Sequence, residues 1–79
     1  MSTTYEQLVD ILARLHDAPT YRIRPEATLG ELDVDSLTTV EISIRIERDL
    51  GATVGDDELR PDLTLGDIVG LIDARRATV

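Results

Sequence analysis

A chain of 79 residues with a net charge of −8 and no cysteine leaves few functions open. Roughly two-thirds or less of its unfolded surface can be buried on folding, which argues against a deep catalytic cleft. The charge argues against nucleic acid and anionic membranes, and for protein partners with basic patches. Ten Asp and six Glu face eight Arg and no Lys, and 42% of the residues are hydrophobic, enough for a folded domain rather than an acidic tail. The N-terminal Met1-Ser2-Thr3-Thr4-Tyr5-Glu6 lacks the basic and apolar regions of a signal peptide. No apolar run reaches the roughly 18 residues that span a bilayer. A single cytoplasmic domain over residues 1–79 is expected.

In chain order, the first element is a helix over residues 5–16. Leu8, Ile11, Leu12 and Leu15 fall at i, i+3, i+4 and i+7, Thr3 or Thr4 supplies a cap, and Asp17-Ala18-Pro19 ends it. A connection over residues 19–34 follows, long enough that Tyr21, Ile23, Leu29 and Leu32 are expected to pin it to the core. His16, the single histidine, is expected to interact with the first helix's dipole rather than act as a general base.

The next segment carries two signals. Val40, Ile42, Ile44 and Ile46 alternate with Glu41, Ser43, Arg45 and Glu47, which is a strand pattern. The segment is nonetheless about fifteen residues long, bracketed by the cap residue Asp35 and by Gly51, and no partner strand exists; helix is the better reading. On a helical wheel Ile42, Ile46 and Leu50 cluster with Thr39 and Ser43, while Leu37, Val40 and Ile44 fall nearly opposite. A small bundle buries only one such face. The other is a candidate docking strip, unless residues 20–34 fold over it.

Farther on, Val54, Leu59 and Leu63 surround Asp56-Asp57-Glu58, read as one helical turn that Pro61 ends. The acidic run lacks the spacing of a calcium loop and is expected to be a solvated face. Thr64 then caps a last helix with the stripe Leu65, Ile68, Val69, Ile72, Asp67 near its start and Arg75-Arg76 at its end. The expected fold is all-α: a small bundle of three main helices plus one short helix, with a long first loop.

Asp35-Ser36-Leu37 is the most informative tripeptide. Asp35 as N-cap leaves Ser36 at the first helical position, its hydroxyl near the positive end of the dipole, where an attached phosphate is favoured. Asp33 and Asp35 as a catalytic pair would need an oxyanion hole and pocket that nothing supplies, and no phosphate-binding glycine loop or nucleophile elbow occurs. A non-catalytic protein is expected.

The stretch Leu32-Asp33-Val34-Asp35-Ser36-Leu37, followed by Val40-Glu41, resembles the phosphopantetheine attachment site of acyl carrier proteins. The resemblance extends over nearly the whole chain in length, helix order and acidity. It implies that Ser36 receives 4′-phosphopantetheine from coenzyme A through a phosphopantetheinyl transferase that recognises Asp35. The arm's thiol, which this cysteine-free chain cannot supply itself, then carries acyl groups as thioesters in fatty-acid, polyketide or specialised lipid biosynthesis. By the same resemblance, the helix after Ser36 meets acyl-transferring, condensing or ligase enzymes through Leu37, Val40, Glu41, Ile44 and Glu47, with Arg45 and Arg48 on the same surface. Leu12, Ile42, Ile46, Leu50 and Ile68 are candidates to line an acyl-chain cavity, in a protein expected to be monomeric and to need no metal. Two departures stand out: Asp33 replaces a glycine frequent in the family, and Arg45 and Arg48 interrupt a usually more acidic face, which points to a dedicated pathway. The rivals are an aminoacyl or peptidyl carrier, whose Gly-Gly-His-Ser type motif is absent, and an unmodified acidic adaptor.

Overall fold

The computed structural model describes residues 3–16 and 20–76. Helix α1 spans Thr4–Leu15, α2 spans Ser36–Arg45 and α3 spans Leu65–Arg76. Helix α2 continues into one π-helical turn, Ile46–Leu50, and 3₁₀ turns occupy Thr20–Arg22 and Asp56–Glu58. Among the described residues no strand forms; Thr28 and Thr64 make one isolated antiparallel bridge. The fold is all-α, as expected, and none of the described helices is long and apolar enough to cross a membrane.

Thr3 and Glu6 close a capping box on α1: the Glu6 N–H donates to Thr3 Oγ1 (3.1 Å) and the Thr3 N–H to Glu6 Oε1 (2.9 Å). Leu8, Ile11 and Leu12 are buried and Leu15 packs beside them. The predicted stop at Asp17-Ala18-Pro19 lies outside the described residues. Helix α1 packs against both α2 and α3, and the buried cluster between them is aliphatic, in a chain without Phe or Trp.

The strand-like alternation of α2 is resolved by burial. Ile42 and Ile46 have no exposed surface, while Val40 is 39% and Ile44 53% exposed. A strand would have turned all four to one side; a helix splits them. The π turn was not foreseen. There the Ile46 N–H is shared by the Ile42 and Ser43 carbonyls, and Gly51 ends the turn at φ +70°, a left-handed angle that glycine adopts without a Cβ penalty.

The long first connection is hooked to the start of α3. The N–H groups of Leu65 and Gly66 donate to the carbonyls of Ala27 and Pro25 (both 2.9 Å), so loop carbonyls satisfy donors that the first turn of α3 cannot use internally. From the loop, Leu29 donates to Leu63 O (3.1 Å) and Gly30 to Pro61 O (2.9 Å). A Cβ at Gly30 would stand 3.2 Å from that Pro61 oxygen, a tight contact, so a larger residue would press against the hook. Leu29 and Leu32 are buried and Ile23 packs on the core, as expected. Tyr21 is the exception. It was expected to pin the loop but is 82% exposed, because the 3₁₀ turn directs it outward and Ile23 takes the inward place.

Thr64 and Asp67 form a second capping box at the start of α3 (3.0 and 3.2 Å). At its end Arg75 does more than complement a dipole. Its guanidinium grips both carboxylate oxygens of Glu58 and donates to Thr53 O (2.7 Å). Of the acidic run expected to be a solvated face, only Asp56 and Asp57 are exposed; Glu58 is half-buried and ties the second connection, residues 51–64, to α3.

Candidate functional site

The tripeptide Asp35-Ser36-Leu37 stands where a turn gives way to α2. The turn is built by its own backbone: Leu32 donates to Thr28 O (3.2 Å), Asp33 to Gly30 O (3.1 Å) and Val34 to Leu29 O (3.1 Å). Closing it requires a left-handed residue at position 33. Asp33 has φ +59°, the one positive value outside glycine among the described residues. Aspartate is among the side chains that tolerate this region, so the glycine of the resembling family is replaced without loss of the turn.

His16 approaches the turn from the end of α1. Its Nε2–H donates to Leu32 O (2.5 Å), so the ring serves as a tie between α1 and the site as well as a residue at a helix end. Buried Leu32 and half-buried Val34 fix the chain from beneath, and Asp35, Ser36 and Leu37 then emerge into solvent.

Asp35 is the N-cap, in extended conformation, with its Oδ1 accepting the Thr38 N–H (2.8 Å). Its carbonyl accepts the Thr39 N–H (3.0 Å) and the Thr39 hydroxyl (2.8 Å). The hydrogen bond from Thr38 holds the Asp35 carboxyl below its ordinary value, with a lesser pull from the charge of His16. Ser36 is the first residue of α2 and its hydroxyl makes no hydrogen bond among the described residues. An exposed, uncommitted hydroxyl at the positive end of a ten-residue helix suits a phosphodiester on steric and electrostatic grounds.

Ser36 lines an open depression of about 250 Å³ with Leu29, Val34, Thr39, Leu59 and Pro61 and with the charged Asp56, Asp57 and Arg60. The five residues predicted to shelter an acyl chain, Leu12, Ile42, Ile46, Leu50 and Ile68, are all in the close-packed core and do not line it. Leu29 and Val34 lie shortly before Ser36 in the chain, and Leu59, which completes the wall with them, escaped the sequence reading because it is distant. The hooks from Leu29 to Leu63 and from Gly30 to Pro61 hold the Leu59 segment against the turn.

On the outer face of α2, Leu37 is 71% exposed and stands with Val40 and Ile44 in an uncovered apolar strip; residues 20–34 do not fold over it. Glu41, Glu47 and Arg48 are exposed around it. The two arginines predicted for this surface part company. Arg45 is half-buried and paired with Asp49 (3.7 Å), whereas Arg48 has no ion pair among the described residues.

Fold and site together define a small helical domain presenting one exposed serine at a capped helix start. The family model described as "Phosphopantetheine attachment site" matches residues 6–72. An acyl carrier protein of Acidothermus cellulolyticus is 36% identical over 66 residues, covering 82% of this chain and 79% of that one. The meromycolate extension acyl carrier protein of Mycolicibacterium smegmatis is 32% identical over 77 residues, covering 91% and 78%. The acyl carrier protein of Thermobifida fusca is 30% identical over 77 residues, covering 91% and 98%. No solved structure gives a significant match. The chain belongs to the acyl carrier protein family, whose cofactor is 4′-phosphopantetheine.

Proposed function

We propose that Ser36 is the attachment residue and that the protein is a non-catalytic, cytoplasmic carrier of acyl thioesters. The carrying observation is the Ser36 hydroxyl: exposed, unbonded, and held at the start of α2 by the Asp35 cap. When bound, the arm supplies a thiol on a flexible tether, which raises the effective concentration of the acyl group at a docked enzyme. The chain's own residues orient and present. Asp35 fixes the helix start and offers its carboxylate to the transferase. The turn at Asp33 and the His16 tie hold Ser36 clear of the surface.

Partners are the phosphopantetheinyl transferase and acyl-transferring, condensing or ligase enzymes with basic docking patches. Leu37, Val40 and Ile44 supply the apolar contact, and Glu41 and Glu47 the charge. Arg48 adds an exposed cation to this face, while Arg45 spends its charge on Asp49. That mixed sign favours a dedicated set of enzymes over those of general fatty-acid synthesis. The acyl chain enters at the depression beside Ser36, whose wall includes Thr39. One turn on along the same face lies Ile42, and parting the aliphatic core there opens a cavity among Leu12, Ile42, Ile46, Leu50 and Ile68.

The test is intact mass after incubation with coenzyme A and a broad-specificity transferase. The expected result is one phosphopantetheinyl adduct, absent in Ser36→Ala. An unchanged mass, or an adduct mapped to another residue, overturns the assignment.

A further inference from the structure

The surface of residues 21–24 is unlike the rest of this acidic molecule. Tyr21 is the most exposed large apolar side chain described, at 82%, and Arg22 and Arg24 are exposed beside it. The three border a groove of about 390 Å³ with Glu31 and Leu32. Two arginines elsewhere are half-buried and paired, Arg45 with Asp49 and Arg75 with Glu58, while Arg14, Arg48, Arg60 and Arg76 are exposed but none of them lines this groove. Here Arg24 has no ion pair among the described residues, and Arg22 reaches only Asp33 at 4.0 Å, across two exposed side chains. Such a contact contributes little and yields readily to a partner.

The segment is held in place. Ile23 packs inward between the two exposed arginines, the Tyr5 hydroxyl donates to its carbonyl (3.4 Å), and Pro25 accepts from Gly66 (2.9 Å). Tyrosine and arginine dominate interface hot spots, and a fixed backbone lowers the entropy lost when they are covered. Arg22 touches Asp33, three residues before Ser36, so the patch borders the attachment site on the loop side as α2 borders it on the other.

We propose that Tyr21, Arg22 and Arg24 form a second docking surface for an acidic segment of the enzyme that works on the Ser36 arm. The proposal rests on the carrier reading above. Charge complementarity sets the occupant: two cations in one groove with an aromatic ring call for carboxylates beside an apolar contact. A partner that offers basic groups to Glu41 and Glu47 and acidic groups to Arg22 and Arg24 can approach in one orientation; the reverse places like charges together.

The test uses full-length holo-protein and a condensing enzyme from its own host. The transferase step is scored first by intact mass, so failure of the carrier reading shows separately as a missing arm and takes the proposal with it. With the arm in place, Arg22→Glu/Arg24→Glu is expected to raise KM for the carrier roughly tenfold with kcat unchanged, and to weaken its salt dependence. Tyr21→Ala should raise KM severalfold, and Arg22→Lys/Arg24→Lys should restore most of the binding. Melting curves confirm folding, since all three side chains are exposed. An unchanged KM overturns the proposal. So does the finding that these arginines instead retain the protein on phosphatidylglycerol vesicles, or support self-association in sedimentation experiments.

Discussion

The two faces of α2 are made of the same kinds of residue and do opposite work. Inward, Ile42 and Ile46 have no exposed surface; outward, Leu37, Val40 and Ile44 are 71%, 39% and 53% exposed. Hydrophobicity alone does not assign a residue to the core. The inner face is fixed by neighbours on α1, α3 and the second connection, where the Ser43 hydroxyl donates to Val54 O (2.5 Å). The outer face has no such neighbours among the described residues, and it is this strip that the docking proposed above would cover. One face holds the fold and the other stays exposed.

The largest effect expected is the contrast between Ile46→Ala and Ile44→Ala. The first leaves a cavity in the packed core and should lower stability by about 2–5 kcal/mol. The second should change stability by no more than about 0.5 kcal/mol, while raising KM with enzymes that dock on α2. Urea unfolding and carrier kinetics on both variants check the contrast. Equal destabilisation would break it.

Acid offers a second, smaller probe, because the inner face depends on a second connection that is tied down by charge. The Arg75 guanidinium, with help from the Gly55 N–H, holds the Glu58 carboxyl at about 2, against an ordinary 4.5. Hydrogen bonds to capped helix starts also lower Glu6 and Asp35. A lowered folded pKa means that these carboxylates contribute stability above the ordinary value and lose it as pH falls. For Glu58 the loss falls between about pH 4.5 and about pH 2. Glu58→Gln should therefore be less stable than the natural protein at neutral pH, with the gap narrowing across that window. Melting temperatures taken from neutral pH to about pH 3 measure it; a constant gap would detach the salt bridge from the fold.

What could be read in advance follows from the range of the interactions concerned. Helix starts are local: Thr3 with Glu6, Asp35 with Thr38, and Thr64 with Asp67 each join residues three apart. So is the split of α2 into two faces, once length and caps had decided helix over strand. The grip of Arg75 on Glu58, by contrast, spans 17 positions, and nothing near either residue distinguishes it from a helix-end cation and a solvated acid. The outward turn of Tyr21 depended on Ile23 winning the inward place, a competition settled by the core. The π turn reflects a local shift in register that the periodicity of Ile42, Ile46 and Leu50 does not reveal. At the site, the Asp35 cap and the helix start at Ser36 were legible because a cap is a local device, while the Leu59 side of the depression is brought in by hooks from a distant segment.

The smallest effect falls between the two faces, at the turn that launches α2. Asp33 sits at φ +59°, where a Cβ crowds the following carbonyl and non-glycine residues are disfavoured by roughly 1–2 kcal/mol, Asp and Asn less than most. Its side chain lies 4.0 Å from Arg22 across solvent and contributes little in return. Asp33→Ala removes aspartate's tolerance for this conformation and should destabilise by up to about 1 kcal/mol. Asp33→Gly relieves the Cβ but frees the unfolded chain, so it should be neutral or slightly stabilising. If the turn matters chiefly for presenting Ser36, transferase rates should follow the same order, glycine at or above aspartate and alanine below. Should alanine match aspartate in both unfolding and transfer, the left-handed angle at position 33 would have no part in holding the serine clear of the surface.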